Sequence, residues 1–179
     1  MGFVDRAARV KDLDLPHTRN WNAPALDTYA RACLLRSDAR LGDVINHSRG
    51  CLSYLATPYS KLARDDDGAF SSAGSLACAA RAARWARLLA LEGITAVSPI
   101  IQAVEMVHVD VIDPQLDPLD ERFWEGWCRP LLNACGGVIV PPIPGWAESE
   151  GIWVEVCAAL RAQRPVFLIR PGAEFGGVA

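Results

Sequence analysis

The residue best placed to do chemistry in this 179-residue chain is Glu155. The stretch Pro144-Gly145-Trp146-Ala147-Glu148-Ser149-Glu150-Gly151-Ile152-Trp153-Val154-Glu155 reads as a loop running into a helix. Pro144 and Gly145 punctuate the loop. Ser149 has the chemistry of an N-cap, and Glu150 directly after it complements the helix dipole. Ile152, Val156, Ala159 and Leu160 then form one apolar stripe, and Glu155 falls on or beside it. A carboxylate on the covered side of a helix is costly unless it is paired, hydrogen-bonded or open to a cleft. Two readings fit: a functional carboxylate in a cleft, or a helix-flank glutamate that reaches solvent.

The elements that must position Glu155 alternate. Cys51–Ala56 is a short apolar run stopped by Thr57-Pro58, as expected for a buried strand. An alanine- and arginine-rich helix is predicted over about 71–92, with Leu76, Ala80, Ala83 and Leu88 facing inward and Gly93 as its stop. Ile94–Val97 is the second strand, ended by Ser98-Pro99. Glu105–Ile112 alternates like an extra edge strand, broken at Asp113-Pro114. Asp120 can cap a helix over Glu121–Ala134, in which Pro130 should make a kink or boundary. Gly137–Val140 is the third strand, the Glu155 helix follows, and Pro165–Ile169 is the last strand, before a loose glycine-rich tail.

This order predicts an α/β fold: a three-layer, flavodoxin- or Rossmann-like parallel sheet of order 2-1-3-4 with right-handed crossovers. Residues 1–48 stand apart as an N-terminal extension with one helix, Asp27–Leu41, and residues 49–179 form the α/β domain. The extension either packs on that domain or trails as a mobile tail. Ligands of such sheets bind at the carboxyl ends of the strands, where strand order reverses. Tyr59, Ser149, Gly151 and Glu155 all leave that edge and can converge on one cleft.

Composition bounds the partners. A net charge of -3 with no basic stripe gives no reason to expect nucleic acid. The six cysteines contain no C-x-x-C pair, so no zinc site and no other metal is expected. No signal peptide or membrane-spanning run is visible, and a cytoplasmic protein with free thiols is the simplest reading.

Taken together, these residues resemble the nucleoside 2-deoxyribosyltransferase superfamily. The strand motif Y-L-A-x-P plus an aromatic residue is matched by Tyr54-Leu55-Ala56-Thr57-Pro58-Tyr59, and the motif S-x-G-x-x-x-E by Ser149, Gly151 and Glu155. Ser98-Pro99-Ile100, Phe123-Trp124 and Pro144-Gly145-Trp146 are similar to an uncharacterised branch of it. The resemblance covers roughly residues 50–170 and implies a glutamate nucleophile, Glu155, oriented by Tyr59. It places Thr57, Pro58, Ser149, Gly151, Trp146 and Cys128 around the substrate. Cys128 stands where relatives carry an aspartate, and a mostly protonated thiol is a poor substitute. Serine at position 149, where deoxyribosyltransferases proper have aspartate, favours a 5′-phosphorylated substrate, although Glu148 and Glu150 would repel a dianion.

The implied activity is cleavage of the N-glycosidic bond of a nucleotide or nucleoside, with hydrolysis favoured over base exchange and no cofactor. The alternatives are a glycohydrolase acting on NAD and a nucleotide-binding module without catalysis. The resemblance also implies a homodimer or larger homo-oligomer, for which Phe123-Trp124-Glu125-Gly126-Trp127 offers an apolar surface, with core packing as the other use of these rings.

Overall fold

The computed structural model describes residues 14–109 and 115–172. Five strands form one all-parallel sheet: β1 (Leu35–Ala39), β2 (Leu52–Leu55), β3 (Thr95–Val97), β4 (Gly137–Val140) and β5 (Val166–Ile169). Its order is β1-β5-β4-β2-β3. The four strands expected between residues 51 and 169 therefore lie in the order 2-1-3-4, and β1 adds an edge beside the last of them. Six helices accompany them among the described residues: α1 (Pro24–Arg31), α2 (Leu41–Ser48), α3 (Ser72–Leu91), α4 (Pro99–Val109), α5 (Glu121–Ala134) and α6 (Glu150–Arg161).

Strand alternation sorts the side chains into two cores. Tyr54, Ala56, Val138, Val140 and Val166 face one side, where they meet α1, α5 and α6 through Leu26, Tyr29, Leu132, Ile152 and Val156. Leu55, Ile139 and Phe167 face the other, against Val44 of α2 and Leu89 of α3. The sheet is thus a middle layer covered on both faces. Buried β4 needs no polar alternation and has none.

Three expectations are corrected. The helix over Asp27–Leu41 is instead α1, ending at Arg31, followed by β1. Cys33 takes a left-handed φ of 60° and Leu34 donates its N–H back to the Tyr29 carbonyl, so the chain turns out of the helix without a glycine to signal it. β1 itself is polar, as suits an edge, with only Leu35 and Ala39 buried. The edge strand at Glu105–Ile112 is not one: residues up to Val109 belong to α4, which opens on Pro99 and buries Ala103 and Val104. Positions 110–112 and the Asp113-Pro114 break lie outside the described residues, as does the tail from position 173. Finally, α3 buries Ser75, Cys78, Ala82 and Leu89, while Leu76 is exposed. In so alanine-rich a helix the hydrophobic contrast is too small to fix the face.

α5 runs unbroken through Pro130. The carbonyl four residues back belongs to Gly126, which is exposed, so water can take the bond that proline cannot supply. Residues 14–34 pack on the domain, with Leu15, Leu26 and Tyr29 buried in its core, and residues 35–48 are part of it as β1 and α2.

Candidate functional site

The chain leaves β2 toward β3 in one direction and β4 toward β5 in the other, so strand order reverses between β2 and β4. The loops after these two strands meet above that point. Gly145 takes a φ of 90°, and a side chain there would meet Leu62 of the first loop at 3.7 Å. Gly74 holds that first loop against α3, where any side chain would come within 2.4 Å of the Leu62 carbonyl.

α6 rises from the second loop. Ser149 caps it, its Oγ accepting the Ile152 N–H at 3.3 Å, and the expected stripe of Ile152, Val156, Ala159 and Leu160 is buried. Glu155 lies beside this stripe. Its Oε1 accepts a short hydrogen bond from the Tyr54 hydroxyl, which projects from β2. Taken as a whole Glu155 is only half-buried, yet its carboxyl is enclosed. Burial pushes it up to about 7, against the lowering effect of the Tyr54 hydrogen bond. Tyr54 is buried and held far above the usual phenol range, first by burial and then by the Glu155 charge, so it stays a neutral donor. Cys128 of α5 borders both groups. Burial, then the Glu155 charge, pushes its thiol up to about 11, with the Tyr54 hydroxyl opposing.

The expectation that Tyr59 orients Glu155 is therefore corrected: Tyr54 does so. The Tyr59 hydroxyl lies 3.0 Å from Ser75 Oγ on α3, and Ser75 is 3.2 Å from His108 Nε2 on α4. The reading of Glu155 as a helix-flank glutamate that reaches solvent is set aside, since its carboxyl is enclosed and raised. Trp146 packs edge-on against Trp21, 5.1 Å between ring centroids, and lines a cleft of ≈ 320 Å³ with Leu26, Asp38 and Ile169. It thus stands on the β5 side of the edge, under the N-terminal segment.

Thr57 and Pro58 are buried directly after β2. The Thr57 hydroxyl is 7% exposed as a residue and has no hydrogen-bond partner, and Ser98 at the end of β3 is 8% exposed and in the same state. Each such orphan costs about 1–3 kcal/mol, and the buried Tyr29 hydroxyl of α1 is a third. Gly151 is exposed in the first turn of α6. Phe123 is 42% exposed, and the rings of Phe123, Trp124 and Trp127, packed edge-on to one another, sit on the outer part of α5, not in the core.

Residues that the sequence did not single out include Tyr54 as the partner of Glu155, Ser75, Arg19 and Trp21. Arg19 donates to the Ala147 carbonyl at 3.3 Å and pairs with Glu150 at 3.5 Å. All six cysteines are free thiols. Among the described residues, no group of three or more His, Cys, Asp or Glu is arranged to hold a metal ion, and no helix is long and apolar enough to cross a membrane.

Residues 52–170 match a family described as a domain of unknown function (DUF1937). The matched segment runs from the start of β2 to just beyond β5 and includes Tyr54, Cys128, Ser149 and Glu155. Comparisons with curated proteins and with solved structures gave no match.

Proposed function

Because the chain belongs to the DUF1937 family, whose description assigns no activity, we propose a function from the site: cleavage of the N-glycosidic bond of a nucleoside 5′-monophosphate or nucleoside, by hydrolysis. The observation that carries this reading is a glutamate carboxylate held by a buried tyrosine beside the point where strand order reverses. Glu155 is the nucleophile. Its free oxygen attacks the anomeric carbon, the bond to the base breaks with its electron pair on the base nitrogen, and a glycosyl ester forms. Water then attacks the same carbon, loses a proton to solvent and releases Glu155. Tyr54 donates to the other oxygen and fixes the carboxyl's direction.

The Ser149 hydroxyl accepts from its own helix, which leaves its proton free to donate to a phosphate oxygen beside the Gly151 amide. Arg19 offsets Glu150 at the same helix end, which answers part of the repulsion that the two exposed glutamates would exert on a dianion.

A second reading is favoured by Cys128. With its thiol pushed up to about 11, it does not supply the acid or base that an aspartate would, and a module that binds nucleotides without cleaving them is the outcome if the leaving base cannot be protonated. Free-base release from a panel of nucleoside monophosphates, nucleosides and NAD, by the unmodified chain and by Glu155→Gln, tests both. Release lost in the variant supports the nucleophile. Equal release by both proteins overturns it. Binding without release selects the module.

A further inference from the structure

Residues 15–21 lie outside the family-matched segment, yet they run along α6 from its last turn back to its first. Arg161 donates to the Leu15 carbonyl at 3.0 Å. Trp153 donates through Nε1 to the Pro16 carbonyl at 3.2 Å. Trp21 donates through Nε1 to the Ala147 carbonyl at 2.8 Å, where Arg19 also donates. The Trp21 ring stands edge-on to both Trp146 and Trp153, at 5.1 and 5.0 Å. Three aromatic rings and four donor contacts thus tie one segment to α6 and to the loop that feeds it.

The direction of this grip matters. Trp153 and Glu155 are two residues apart on a helix, so they project about 200° apart. The segment therefore presses α6 from the side away from Glu155. Opposite that side stand Tyr54 and Cys128. The Ala147 carbonyl fixes the approach to Ser149, and hence the start of the helix. The helix start and its back are thus both held, which opposes rotation or sliding of α6 away from the Tyr54 hydroxyl.

We propose that the segment Leu15–Trp21 is a strap that positions Glu155, with Trp21 as its principal positioning residue. In its catalytic consequence this rests on the nucleophile reading above. In its geometric consequence it does not, since the enclosure of the Glu155 carboxyl exists whatever the reaction. Residues 52–170 alone then lack part of what sets the site.

The test uses the full chain with Trp21→Ala, measured well below its melting temperature. Two quantities are read: the pH midpoint of the Glu155 carboxyl by carbon NMR, assigned by its loss in Glu155→Gln, and kcat for base release. Loosening α6 admits water to the carboxyl, so the midpoint falls from about 7 toward the ordinary glutamate range. A misplacement of the nucleophile on the order of 1 Å lowers kcat by roughly tenfold to a hundredfold. A lower melting temperature with an unchanged midpoint and unchanged kcat overturns the strap, since a merely stabilising segment would do that. If Trp21→Ala does not melt cooperatively, Trp21→Phe replaces it: it keeps a ring between Trp146 and Trp153 but removes the donor to Ala147. Shifts in the same directions support the strap, and none overturns it. If the unmodified chain releases no base, the function fails while the NMR midpoint still decides the strap.

Discussion

The raised Glu155 carboxyl makes stability depend on pH in a direction opposite to that of an ordinary paired glutamate. Burial lifts it from the usual 4.5 to about 7, so the folded chain holds this proton more tightly than the unfolded chain does. The stability gained from the protonated form is complete below about 4.5 and is lost as pH rises through about 7. At about 1.4 kcal/mol for each tenfold change in proton affinity, the loss is roughly 3 kcal/mol. Glu155→Gln keeps the shape and still accepts the Tyr54 hydrogen bond, but cannot ionise. The stability difference between the two proteins should therefore change by roughly 3 kcal/mol between about pH 4 and pH 8, in favour of the glutamine variant at the higher pH. For a domain of this size that corresponds to roughly 6–12 °C in melting temperature. Urea unfolding of both proteins across this range is the assay, because all other titrating groups cancel in the difference. Parallel stability curves from acid to alkaline pH would refute the enclosure of the carboxyl. If base release is found, it should rise through the same pH as the nucleophile ionises.

Tyr54→Phe removes the one influence that lowers the Glu155 carboxyl, so its NMR midpoint should rise above about 7, whereas Tyr59→Phe, which removes a hydroxyl bonded to Ser75 on the other face of the sheet, should leave it unchanged. A response to Tyr59→Phe would restore the discarded partner. Ser149→Asp keeps the N-cap but places a carboxylate at the helix start, so KM for nucleoside monophosphates should rise at least about tenfold while KM for nucleosides stays within about twofold, and equal changes for both would end the phosphate assignment. If the exposed rings of α5 form the expected homo-oligomer contact, Phe123→Asp should dissociate it in light scattering, and a monomeric unmodified chain removes that expectation.

The sheet order was legible because each strand between residues 51 and 169 is a short apolar run with its own stop, and the connections between them are helical. β1 was not legible. Its sequence Leu-Arg-Ser-Asp-Ala carries two apolar residues, and its place in the sheet rests on pairing with β5, far away in the chain. The turn before it uses Cys33 in a conformation normally marked by glycine, so nothing local separated β1 from α1. α4 failed for the opposite reason. Its run Pro-Ile-Ile-Gln-Ala-Val-Glu-Met-Val-His-Val is apolar at so many positions that both a strand period and a helix period can be drawn through part of it.

The exchange of Tyr59 for Tyr54 shows what the site needed beyond its motifs. Tyr59 stands in a loop and was read as reaching the cleft, while Tyr54 stands inside a strand and was read as core. Yet the topology separates them. β2 leads to β3 on one side and β4 leads to β5 on the other, so two right-handed crossovers must put α3 and α6 on opposite faces of the sheet. Strand alternation then leaves only Leu52 and Tyr54, or Ser53 and Leu55, to face α6 from β2. Of these four, only Tyr54 is long enough and polar enough at its tip to satisfy a carboxylate across the layer. Tyr59, beyond the strand, escapes that alternation, and its hydroxyl is taken by Ser75 on α3. The strap has no such signal. Trp21 and Trp153 are 132 positions apart, no spacing joins them, and only the folded layers bring one ring onto the other.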